Sequence, residues 1–160
     1  MTIPNPEHLL EQAERLVGPR QADIRRAISS AYYALFHAAS ANAADAVAGV
    51  SNRQSRRYAL IYRSITHASL LKLCEAIARG SPSLQPDGGF SLHFKRFADA
   101  LADLQRKRHT ADYDPLARFN RTDALVTISG ARTAFAQFKA ATEEERLFFG
   151  SLLLFSRSRT

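Results

Sequence analysis

The stretch Gln105-Arg106-Lys107-Arg108-His109-Thr110-Ala111-Asp112-Tyr113-Asp114-Pro115 gathers residue types that can move protons or hold anions. Arg106 and Arg108 carry guanidinium forks, each able to grip two phosphate oxygens at once. His109 supplies an imidazole that titrates near neutrality, Asp112 a carboxylate and Tyr113 a phenol. Polar groups held where a packed helix ends are candidates for a binding or reaction site. The same residues also have a purely structural reading. Cations in a last helical turn meet the negative end of the helix dipole, and Asp-Pro is a common turn.

Two further groups invite the same weighing. Arg26, Ser30, Tyr33 and His37 are spaced 4, 3 and 4 apart and so share one polar face of a helix. That face is either solvated or satisfied by a neighbour, or it turns Tyr33 and His37 into a pocket shared with the 106–113 segment. Arg53, Arg56, Arg57 and Arg63 interleave with Tyr58 and Tyr62, a mixture that could grip a nucleic-acid backbone. Aromatics at this spacing also build cores, and arginines at a helix start oppose its dipole. His67, four residues after Arg63, reads as a structural histidine.

The elements that must position these groups are helical. Phe90, Phe94, Phe97, Leu101 and Leu104 recur at spacings of 4, 3, 4 and 3, and the same face continues onto Arg108 and Ala111. Asp114-Pro115 then stops the helix, because the proline ring clashes with an α conformation at the residue before it. Five helices are predicted: 7–17, 21–48, 53–79, 90–108 and one capped by Thr122 with Leu125, Ile128, Ala131, Phe135 and Phe138 inward. Residues 81–89, rich in Pro and Gly, read as a surface loop.

Composition bounds the rest. A chain of 160 residues, 46% hydrophobic and 23% charged, suits one globular domain, placed here at 1–156 with a frayed tail at 157–160. With 7 Gly, 6 Pro and no period-2 runs of β-branched residues, the class is all-α. The single cysteine, Cys74, lies among leucines and reads as a buried thiol; no Cys/His spacing suggests a metal, and no cofactor is expected. The N-terminus does not read as a secretory signal, and a cytoplasmic protein is expected. Leu147 to Phe155 is an apolar run of nine residues, against the roughly 20 a membrane span needs. It packs on its own domain, a second copy or a partner, and no membrane association is expected. The net charge of +7, from 22 Lys+Arg against 15 Asp+Glu, favours anionic partners.

The run Ala27-Ile28-Ser29-Ser30-Ala31-Tyr32-Tyr33-Ala34-Leu35-Phe36-His37, followed downstream by Arg106 and by Ala111-Asp112-Tyr113-Asp114-Pro115, resembles the HEPN superfamily, in its small stand-alone branch. The likeness runs from about residue 20 to 140. It implies an up-and-down bundle of four to five helices, paired as a homodimer with the polar motif facing the dimer cleft. Many members are metal-independent ribonucleases serving as toxins or in defence. Some are silenced by a small nucleotidyltransferase antitoxin that modifies the motif tyrosine.

The family's signature is an arginine, four to six residues, a histidine and often a tyrosine two positions on. Aligned on the tyrosine, Arg106 and Tyr113 take their places here, but the histidine place falls on Ala111. His109 lies two positions earlier, roughly 200° around a continuing helix, and can substitute only if the backbone has unwound. Two hypotheses follow. The protein is a ribonuclease with Arg106 and Arg108 as phosphate clamps, supported by Arg26, Tyr33 and His37, and His109 or Asp112 as proton acceptor. Or it is a dimeric module that binds RNA, a nucleotide or a protein without cutting, with Arg106, Asp112 and Tyr113 as a structural network.

Overall fold

A computed structural model describes residues 2–80 and 85–155. Among them the chain forms seven α-helices and no strand: α1 (Pro6–Leu16), α2 (Gln21–Ala48), α3 (Arg56–Ser64), α4 (His67–Ala78), α5 (Leu92–Tyr113), α6 (Arg121–Ala140) and α7 (Glu143–Phe155). A 3₁₀ turn at Val50–Asn52 joins α2 to α3. The all-α class holds; seven helices stand where four to five were expected. The tail at 157–160 and the first part of the predicted 81–89 loop lie outside the described residues.

α2 is the axis, packed by α1, α3, α5, α6 and α7. Its buried positions are mostly alanine, including Ala27, Ala31, Ala34, Ala38, Ala39 and Ala43, so neighbours approach closely on every side. A helix flanked by five neighbours shows no single apolar stripe. The larger volume comes from α5, α6 and α7. Phe94 stands 5.4 Å from Phe97 and 5.3 Å from Phe149, and Phe97 4.8 Å from Phe138, ring centre to ring centre. The face foreseen on α5 is the buried one, down to Arg108 and Ala111. The apolar 147–155 run mostly joins this core, with Phe149, Gly150, Leu152 and Leu153 buried. Cys74 is buried, which pushes its thiol pKa up.

Three expectations are corrected. The helix predicted over 53–79 is two helices, broken at Ile65 and Thr66. Thr66 Oγ1 accepts the Ser69 N–H at 3.1 Å and so caps α4, while the Ser64 hydroxyl donates to the Ile61 carbonyl at 2.6 Å. These local side-chain bonds compete with the helical ladder. The cap of α6 is Asn120 rather than Thr122. Its Oδ1 accepts the Asp123 N–H at 2.8 Å while Asp123 Oδ2 accepts the Asn120 N–H at 2.7 Å, a reciprocal capping box. On α6, Ile128, Ala131 and Phe138 face inward as expected, but Leu125 is 49% exposed and Ala124 and Ala134 are buried in its stead.

Candidate functional site

α5 continues as helix to Tyr113, where Asp114 and Pro115 end it. The chemistry-bearing stretch is therefore split between two faces of one rigid helix rather than gathered in a turn. The inward face carries Gln105, Arg108, Ala111 and, at its edge, Asp112. The outward face carries Arg106, His109 and Tyr113.

The inward group meets α2 and the start of α4. Arg108, only 5% exposed, lies 5.1 Å from the Tyr32 ring centre and 5.6 Å from that of Tyr33. Its Nη1 is 3.6 Å from Asp112 Oδ2, which also accepts a 3.3 Å bond from the Ser29 hydroxyl. Its Nε has no partner among the described residues. The Tyr32 hydroxyl sits 2.6 Å from His67 Nδ1 and 3.5 Å from Gln105 Oε1. Burial pushes the Tyr32 phenol pKa well up, against the pull of Arg108. His67 is held below the usual imidazole range by burial, then by Arg108 and by His37. A neutral imidazole can share this bond in either direction, so the short Tyr32–His67 contact and the lowered His67 pKa agree.

A second tyrosine–histidine pair adjoins it. His37 Nδ1 bonds the Tyr62 hydroxyl, and burial lowers the imidazole pKa while it pushes the Tyr62 phenol up to about 12. Tyr33, Phe36, His37 and His67 touch ring to ring, with Phe36 and His67 centres 4.3 Å apart. Tyr33 thus meets Arg108 on the inward side of the 106–113 stretch, whereas His37 packs on Tyr33, Phe36 and Tyr62. Arg26 does not join them. It is exposed and, with Ser30, lines a shallow groove of about 450 Å³ beside Gln12 and Leu16 of α1.

The outward group stands apart. Arg106 pairs across to α4, its Nη2 2.7 Å from Glu75 Oε1. His109 is exposed, its ring centre 5.0 Å from that of Tyr113, which is 66% exposed. Ala111, the residue that the resemblance would set in the histidine place, is buried. No unwinding brings His109 to that place.

Residues that sequence reasoning passed over hold the assembly together. Arg25 Nη1 donates to the carbonyls of Ala111 and Asp114, 2.8 Å each, and its Nη2 to that of Ala117. Gln21 grips Phe119 at both its N–H and its carbonyl. A cation on the orphan carbonyls of a helix end is a favourable cap, and here it ties the end of α5 to α2. Tyr32 and His67 were legible only as a core tyrosine and a structural histidine, because the spacing on one helix does not reveal what a distant helix brings. Among the described residues no group of three or more His, Cys, Asp or Glu could hold a metal ion, and no helix is long and apolar enough to cross a membrane. Comparison with protein-family models, curated proteins and solved structures finds no match.

Proposed function

We propose that the protein is a HEPN-like, dimeric RNA-associated module of toxin-antitoxin or defence type that binds without cutting. The observation that carries this reading is the burial of Ala111 on a helix that stays intact, with its carbonyl held by Arg25. No proton carrier can reach the histidine place without breaking that packing. Arg108, the second candidate clamp, is consumed under Tyr32 and Tyr33 in its own chain. Phosphate contact then falls to the outward line of Arg106, His109 and Tyr113, backed by the net charge of +7. A small nucleotidyltransferase remains the partner that the family likeness suggests.

One observation favours the ribonuclease reading. Arg106, His109 and Tyr113 place a cation, a base and a phenol on one exposed face, where a second copy could complete a site. Incubation with labelled RNA in EDTA separates the two. Retained RNA without cleavage, bound less tightly by Arg106→Ala, supports the module. Cleavage lost in Arg106→Ala replaces it with the enzyme.

A further inference from the structure

Many cations on this surface have a carboxylate at hand: Arg20 with Asp23, Arg53 with Asp45, Arg106 with Glu75, Arg132 with Glu14 and Lys139 with Glu7. The outer face of α3 departs from this. Arg56, Arg57 and Arg63 are exposed and pair with no carboxylate among the described residues; Arg57 makes one long bond, 3.5 Å, to the Ala48 carbonyl. Amid them Leu60 is 72% exposed. Residues three and four apart are neighbours on a helix, so Arg56, Arg57 and Leu60 form one patch.

α7 carries the complement. Glu143 and Glu144 are exposed and pair with no cation among the described residues, and Leu147, four and three positions on, is 43% exposed. The two faces have the same spacing and opposite sign: a charged doublet, a leucine one turn later, then a serine, Ser64 on α3 and Ser151 on α7. Both helices are seated on the C-terminal half of α2. The Tyr58 hydroxyl reaches the Ala41 carbonyl at 3.2 Å, and the Asn42 side chain donates to the Arg146 carbonyl at 2.8 Å. Within one chain the doublets do not meet.

We propose that the outer face of α3 docks on the outer face of α7 from a second copy. The helices run parallel, because only then do Arg56 and Arg57 reach Glu143 and Glu144 while Leu60 packs on Leu147. Leucine burial supplies attraction, and the charges select the register and reject α3 on α3 or α7 on α7. Since the two faces differ, a single contact is head-to-tail and a twofold axis would double it. The inference rests on the self-association in the reading above and is independent of RNA.

The test is sedimentation of RNA-free protein at low salt, over a range of concentrations, with circular dichroism to verify folding. R56E/R57E and E143R/E144R are each expected to weaken self-association by about tenfold or more. The fourfold variant, or an equimolar mixture of the two doubles, is expected to restore it. Association untouched by either double, or not restored by their combination, overturns the contact while leaving some other dimer standing. A wild-type monomer at every concentration overturns self-association itself. If R56E/R57E instead weakens RNA binding, with no change in self-association, α3 is a nucleic-acid surface and this contact is wrong.

Discussion

Burial leaves the Tyr32 hydroxyl between two partners, His67 and Gln105, contributed by two other helices. Tyr32→Phe keeps the ring under Arg108 but orphans both partners, and we expect it to cost about 1–2 kcal/mol in urea unfolding. Tyr33→Phe, next door, removes a hydroxyl that makes no such bond and should stay within about 0.5 kcal/mol of wild type. The two histidines give a pH dependence of definite sign. His37 and His67 both have folded pKa values below the ordinary 6.5, so their contribution is fully present above that value. It is lost as pH falls below it, because the unfolded chain then binds more protons. Unfolding free energy should drop between pH 7.5 and 5.5, and His67→Gln should flatten the slope. A stability that rises on acidification through this window would contradict the assignment of His67 as neutral beside Arg108.

Between elements, the approach of α7 to α2 is set by Gly150. A Cβ there would meet Ala43 Cα and Asn42 Nδ2 at 3.2 Å, and the backbone atom cannot step aside. Gly150→Ala should therefore destabilise by about 1–3 kcal/mol despite a better helix propensity. Gly130 on α6 has open space where its Cβ would go, so Gly130→Ala should stabilise by roughly 0.5–1 kcal/mol. Thermal midpoints of the two variants, moving in opposite directions, check both statements. The Arg25 clasp belongs to this scale too. Arg25→Ala frees three carbonyls at the end of α5, and we expect a loss of about 2 kcal/mol with faster proteolysis between 114 and 120.

At the scale of the whole molecule the prediction concerns charge. If the surface holds RNA through phosphate contacts, affinity falls as salt rises, because each contact releases counterions. Arg106→Ala should lower the salt slope by about one and, since its ion pair with Glu75 is exposed, change stability by less than about 1 kcal/mol. An affinity indifferent to salt would mean that the +7 charge is incidental.

Much of this was legible in the chain itself. Periodicity alone marked the α5 face from Phe94 to Ala111, since a buried stripe on one helix is a local property. The breaker residues Gly49 and Asp114-Pro115 stand where α2 and α5 end, and the all-α class followed from composition. Other boundaries were not legible. The break at Ile65–Thr66 and the Asn120 cap depend on competing side-chain bonds of similar strength, which sequence patterns rank poorly.

What the amino-acid order determined was most of the residues that each helix buries, the stripe from Phe94 to Ala111 above all. What only the tertiary structure decided was company. It set Arg108 under Tyr32 and Tyr33, and His67 against Tyr32; it joined Arg25 to the end of α5 and sent Arg106 to Glu75. The reason is physical. A helix fixes its own faces through hydrogen bonds four residues apart, whereas partners tens of residues away are chosen by the packing of the whole core.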